Sequence, residues 1–410
     1  MALDKNFKPV LRFMVVSDIH YKDERSAERE RFETAIQKAY EIAQSSETYK
    51  RLDALYIDGD FADNGSEIQM KAIKETIDNF VNKEETVVRL TLASHEYSQK
   101  NGGEDAAKER FARIFGLDYD THEVINGFHF IGVTTTHGCR FHEPQQEFAR
   151  AELKKAAADD PKKPIFFFQH PHITDTVYGS INWGEDDLTA ILMNYPQIIN
   201  FSGHSHAPVN DPRSVHQKYF TSLGTGTLSY FELDEFDKIY GTLPPDKHDA
   251  AQMLIVEADA DNRVRVYPYD VLTCNFFPQV WKIDEPSNPD CFIYTDARYK
   301  TLKAPFFTDD AVLNASDITK TSANLTFTQA NPDEDSDYVN GYEIIIKKAD
   351  GTVAKQLSVW SRYYFYNMPD SISQIVDDLD ADTEYSVEIY ANGFFKNRSD
   401  KPLTGSFRTL

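Results

Sequence analysis

At five places in this 410-residue chain, a short apolar run gives out into side chains that ligate metals or move protons. Phe13–Val16 leads into Ser17-Asp18-Ile19-His20, and Ala54–Ile57 into Asp58-Gly59-Asp60, with Asp63 just beyond. Val88–Leu92 leads into Ala93-Ser94-His95-Glu96, Ile165–Phe168 into Gln169-His170-Pro171-His172, and Ile198–Phe201 into Ser202-Gly203-His204-Ser205-His206. Imidazole and carboxylate donors together suit divalent metals such as Mn, Fe or Zn. Two such ions about 3.5–4 Å apart need a carboxylate shared between them. Asp60 is the natural bridge, because Gly59 before it lets main chain approach closely. Asp18 and His20 are two positions apart, as are His204 and His206, and extended backbone would aim each pair to one side.

The elements that must position these residues follow from the apolar pattern. Leu11–Val16, Leu52–Ile57, Val87–Leu92, Phe128–Val133, Ile165–Phe168 and Ile198–Phe201 read as strands. Helical spacing fills most of the gaps: Phe32, Ala35, Ala39 and Ile42 within Arg25–Ala43, Met70, Ile73, Ile77 and Phe80 within Glu67–Asn82, and Glu147–Ala157 after a turn at Pro144. Strand–helix alternation predicts an α/β sandwich, whose sites form beyond the carboxyl ends of strands, so that distant clusters converge. After His206, Tyr219–Leu228, Met253–Glu257 and Val264–Tyr269 read as strands of a completing sheet, the last two joined by a hairpin at Ala260-Asp261-Asn262. Residues 283–310, with Pro286, Pro289 and Pro305, read as a linker. Beyond it, Asn324–Thr328, Gly341–Lys347, Thr352–Ser358, Ser361–Asn367 and Tyr385–Ala391 are evenly spaced short strands of an antiparallel β-sandwich over 311–410.

Composition narrows the partners. Sixty-six acidic against 43 basic residues give a net charge of −23, which repels nucleic acid and anionic surfaces, and no basic stripe offsets it. An anionic substrate therefore needs a local positive centre, which bound metal supplies. No apolar run approaches the roughly 20 residues of a membrane span. Cys139, Cys274 and Cys291 form neither a disulfide framework nor a zinc-finger spacing. Met1–Val10 holds Lys5 and Lys8 and no apolar stretch, so no secretory leader is read.

In order and spacing, the five clusters resemble the calcineurin-like metallophosphoesterase superfamily, with its D-x-H, G-D-x-x-D, G-N-H-[DE], lone His and G-H-x-H. Here these are Asp18-x-His20, Gly59-Asp60-x-x-Asp63, Ala93-Ser94-His95-Glu96, His170 and Gly203-His204-x-His206. The resemblance covers about residues 10–282, giving a domain over 8–282, and implies a metallophosphoesterase-type α/β-β/α sandwich. It implies two divalent ions, one held by Asp18, His20, Asp60 and His206, the other by Asp60, His170, His204 and position 94. It also implies attack on phosphorus by a metal-bound hydroxide, with His95 as general acid and Asp63 as the hydrogen-bond partner that fixes its tautomer. The expected reaction is hydrolysis of a small phosphate ester, a diester ahead of a monoester, such as a cyclic nucleotide, a nucleotide conjugate or a phospholipid headgroup.

Departures from the pattern sharpen this. Ser94 replaces Asn and reaches less far toward the second metal. Asn64 stands where protein Ser/Thr phosphatases of the superfamily carry Arg, which disfavours phosphoproteins, and Asp63 stands where purple acid phosphatases carry Tyr. Glu96 completes its motif as a residue that orients neighbours. His172 is read equally as a substrate-facing or a hydrogen-bonded structural histidine. Tyr21, Tyr97, Tyr178, Trp183 and Tyr230 read first as packing and second as an aromatic wall.

The C-terminal sandwich resembles a fibronectin type III domain through Leu379-x-x-x-Thr383-x-Tyr385, Tyr342-x-Ile344 and Phe407-x-Thr409. Such modules suit an extracytoplasmic enzyme, which leaves the compartment open. The rival function is a catalytically weak metal-binding scaffold whose C-terminal sandwich binds a partner or surface polymer.

Overall fold

The computed structural model describes residues 3–22, 26–233, 242–333 and 338–410. These form two compact units, which divide between Thr295 and Asp296, inside the stretch expected as a linker.

In the first unit, two sheets pack face to face. One has the order Asn275–Phe276, Val264–Asp270, Gln252–Asp259, Pro9–Val16, Ala54–Asp58, Val87–Thr91, with Trp281–Ile283 also pairing Val264–Asp270. The other runs Val215–Gln217, Thr221–Gly224, Ile198–Ser202, Ile165–Phe168, Phe128–Gly132, Thr121–Ile125. Pro9–Val16, Ala54–Asp58 and Val87–Thr91 are mutually parallel, as are Phe128–Gly132, Ile165–Phe168, Ile198–Ser202 and Thr221–Gly224.

Side chains alternate across each strand. Phe13 therefore faces the opposite sheet and meets Phe130, Phe166 and Phe201 edge-on at 4.9, 4.8 and 5.9 Å between centroids. Its neighbours Met14 and Val16 face the other way, into a core with Phe32, Ala35, Ile36 and Ala39 of helix Ala27–Ser45 and Met70, Ile73 and Ile77 of helix Glu67–Phe80. Helix Glu143–Asp159 covers the second sheet, burying Ala149, Leu153 and Ala156 against Ile131, Ile165 and Phe167. The layers are thus α/β-β/α.

Several expectations need correction. Pro144 does not precede its helix but sits in its first turn, where a missing N–H costs nothing. Helix Gly103–Phe115 and edge strand Thr121–Ile125 were not anticipated. In the second unit, a three-stranded sheet (Leu313–Ser316, Ala323–Thr328, Ser371–Val376) and a four-stranded one (Val353–Trp360, Gly341–Lys348, Glu384–Asn392, Leu403–Arg408) enclose a core with Leu325, Phe327, Tyr342, Ile344, Ile389 and Phe407. Ser361–Asn367 is not a strand: Arg362 lies at φ 65°, which no strand accommodates, and Ser371–Val376 pairs in its stead. The Tyr385 hydroxyl accepts the Asp380 N–H at 2.8 Å, closing a corner between sequence neighbours. All three cysteines are free thiols. Among the described residues, no helix is long and apolar enough to cross a membrane.

Candidate metal centre

The five strand ends meet. Asp18 and His20 follow Pro9–Val16, Asp60 follows Ala54–Asp58, Ser94 and His95 follow Val87–Thr91, His170 follows Ile165–Phe168, and His204 and His206 follow Ile198–Ser202. Their donor atoms fall into three overlapping groups, Asp18–His20–His206, His20–Asp60–His95 and Asp60–His170–His204. His206 Nε2 is 3.2 Å from Asp18 Oδ1 and 3.1 Å from His20 Nε2. His170 Nε2 is 3.0 Å from Asp60 Oδ2 and 3.7 Å from Asp18 Oδ1, and His204 Nδ1 is 4.0 Å from Asp60 Oδ2. The Ser94 hydroxyl lies 3.2 Å from Asp60 Oδ2.

The local backbone is not the extended one expected. Asp18, His20, Asp60, His204 and His206 have φ of 50°, 48°, 45°, 71° and 53°. Left-handed non-glycine residues cost energy and persist where the surroundings hold them, which in functional sites is part of the design. Here a left-handed residue at each end of D-x-H and H-x-H turns both side chains inward, so the pairs converge by a different route. Gly59 and Gly203 allow the close approach: a Cβ at Gly59 would lie 2.4 Å from His170 Nδ1, and one at Gly203 2.4 Å from Asp18 Oδ2.

Outer hydrogen bonds fix the rings. His170 Nδ1 bonds the Asp58 carbonyl at 2.7 Å and His206 Nδ1 the Tyr230 carbonyl at 2.9 Å, leaving each Nε2 for the centre. His95 N donates to Asp60 Oδ1 at 2.9 Å, while His204 N and the Ser17 hydroxyl donate to Asp18 Oδ2. Glu96, fully buried, accepts from the N–H groups of Asp60, Ala62 and Ala93 at 3.2, 2.8 and 2.9 Å, tying two of the ligand loops together. Burial, and then Asp60, push its carboxyl well up.

The electrostatics describe a site that wants positive charge. Burial opposes ionisation of Asp60, but His170 holds its carboxyl far below the ordinary range. Burial, reinforced by His206, depresses His20 to about 3, and burial with His170 depresses His204 to about 4. Burial alone would depress His170 too, yet Asp60 and Asp18 raise it to about 10. Its buried Nε2 makes no directed hydrogen bond among the described residues. An imidazole whose proton is held between two buried carboxylates marks a place that fits a cation, and the donor set suits divalent metal.

Other expected residues fall as follows. His95 Nδ1 bonds Asp63 at 2.8 Å, but through the main-chain carbonyl, not the carboxylate. His172 is bonded on both nitrogens, to Ser202 and Ser205 hydroxyls at 2.7 Å each, so it braces the His204–His206 loop. Tyr21 and Tyr97 are packing residues bonded to Thr76 and Thr135, and Tyr178 lies under the Arg213 guanidinium at 3.8 Å. Half-buried Trp183 and Tyr230 instead border the centre, 4.9 Å from the His204 ring and 4.3 Å from the His206 ring. Cys139 at 3.3 Å from His204 Nε2 was not anticipated, since nothing in its surrounding sequence marks it.

Residues 11–208 match the family model of the calcineurin-like phosphoesterases, a stretch that contains every residue of the three donor groups. That match supports a metal-dependent phosphoesterase. No curated protein matches the chain. Among solved structures, the purple acid phosphatase PPD1 from yellow lupin (Lupinus luteus) seeds is 15% identical, with 68% of this chain and 54% of that chain covered and a TM-score of 0.47. The fn3 domain of the human collagen alpha-1(XX) chain is 20% identical, covering 27% of this chain and 88% of that one, with a TM-score of 0.20. The sensor domain of the anti-sigma factor RsgI4 in Pseudobacteroides cellulosolvens is 25% identical, covering 25% and 93%, with a TM-score of 0.17.

Proposed function

We propose that this chain hydrolyses a small phosphate ester, a diester ahead of a monoester, at a two-metal centre. The observation that carries the reading is Asp60, which belongs to two donor groups and so is placed to be shared. Asp18, His20, Asp60 and His206 hold one ion; Asp60, His170 and His204 hold the other, with Ser94 or water completing it. When bound, the ions screen the phosphate's charge and acidify a water near neutral pH. His95 stands beside the His20 ring at 4.3 Å between centroids, its Nδ1 hydrogen committed to the Asp63 carbonyl. Its Nε2 is thereby aimed to deliver a proton to the leaving oxygen. Residues 311–410, most of the second unit, are proposed to be a fibronectin type III-like module, with 283–310 as the linker.

The test is turnover of bis(p-nitrophenyl) phosphate with added Mn²⁺, alongside metal analysis of protein purified without chelator. Hydrolysis with two ions per chain is the expected result. No turnover with fewer than one ion per chain would overturn the proposal in favour of a non-catalytic scaffold.

A further inference from the structure

We infer that Cys139 is a positioning residue for the second metal, its thiol taking the outer hydrogen of the His204 ring and so aiming the opposite nitrogen at the shared carboxylate. This rests on the two-metal reading above. An imidazole that binds metal through one nitrogen carries its hydrogen on the other, and that hydrogen needs an acceptor to set the ring. His170 and His206 use the carbonyls of Asp58 and Tyr230. His204 presents Nδ1 toward Asp60 Oδ2 at 4.0 Å and Nε2 toward Cys139 Sγ at 3.3 Å, so the thiol stands where a carbonyl stands for the other two.

The loop of Cys139 is fixed independently of the centre. Thr136 and Arg140 exchange main-chain hydrogen bonds at 2.8 and 3.0 Å, and the Thr135 hydroxyl donates to the Gly138 carbonyl at 2.7 Å. Glu104 accepts the His137 N–H at 2.7 Å, and Asp187 binds the Arg140 guanidinium at 2.7 Å and the Phe141 N–H at 3.0 Å. A thiol held this way orients a ring; it does not follow one.

Co²⁺ titration of the metal-free full chain, read by visible and near-ultraviolet absorption and by bound cobalt per chain, tests the inference without recourse to turnover. Cys139→Ala is expected to weaken the second cobalt about 10–100-fold, the usual cost of losing such an outer partner. The first cobalt, bound as in wild type, reports that the variant is folded. Cys139→Ser, which keeps an acceptor, should restore most of the second-site affinity. An alanine variant that binds both ions normally overturns the inference, as does a serine variant no better than alanine. In that last case, a sulfur-to-cobalt charge-transfer band in wild type would make Cys139 a direct ligand, and its lack a packing residue. Wild type that takes up only one cobalt defeats the two-metal reading itself.

Discussion

Ser94 sits 3.2 Å from the carboxylate proposed to bridge the metals, close enough to be a neighbour and too short to be a strong neutral donor. Ser94→Asn supplies a carbonyl oxygen that reaches further, and should tighten the second metal about tenfold, a gain of one donor bond of roughly 1.4 kcal/mol, measured as the second step of a Mn²⁺ or Co²⁺ titration. His95 carries a different expectation. His95→Ala should cost about 10²–10⁴ in kcat on a poor-leaving-group ester while leaving metal stoichiometry intact. Asp63→Ala should be far milder, because the carbonyl that holds the ring remains. The sequence paired His95 with Asp63 but did not show which oxygen of Asp63 meets the ring, since spacing does not report backbone orientation. His170 gives a pH dependence. Its folded-state pKa, raised to about 10 by Asp60 and Asp18 against burial, exceeds the unfolded value near 6.5. The stability it contributes is therefore full below about 6.5 and lost as pH rises toward 10. Metal-free protein should show a Tm that falls between pH 7 and 10, and metal loading should flatten that fall, because the cation replaces the proton.

Strand ends do the assembling at the next scale. The apolar runs could be read because buried strands must be apolar, and all six strands expected before His204 begin and end within two residues of expectation. The turns beyond them were not legible. Whether Asp18 or His204 is extended or left-handed depends on what each turn packs against, namely Gly59, Gly203 and the Glu96 carboxylate. Helix Gly103–Phe115 escaped notice because its buried stripe is thin, Ala107, Phe111 and Phe115, and begins on glycine. Edge strand Thr121–Ile125 escaped because His122 and Glu123 interrupt any apolar run, His122 being committed to Glu152 and His129. The turn chemistry makes Gly59→Ala a strong test. The new Cβ meets the His170 ring at 2.4 Å at a φ of 80°. Strain and displacement together should destabilise the chain by about 1–3 kcal/mol and abolish second-site metal binding, read by calorimetry and metal analysis. A variant with both properties intact would mean that the strand-end geometry does not set the site.

Over the whole molecule, the proposed chemistry and the C-terminal sandwich draw on separate parts of the chain. Every proposed ligand lies between Asp18 and His206, within the unit ending at Thr295. The second unit has its own core around Tyr342, Ile344 and Ile389, and its own corner, in which the Tyr385 hydroxyl satisfies the Asp380 N–H. A fold closed by its own core unfolds as its own unit. Residues 296–410 expressed alone should therefore give a cooperative thermal transition. Tyr385→Phe should lower that stability by about 1–3 kcal/mol, the cost of orphaning a part-buried donor. In the full chain the same substitution should move only the transition that is insensitive to chelator, while EDTA moves the other, because every proposed ligand lies in the first unit. A single transition shifted by both treatments would mean that the two units are thermodynamically one.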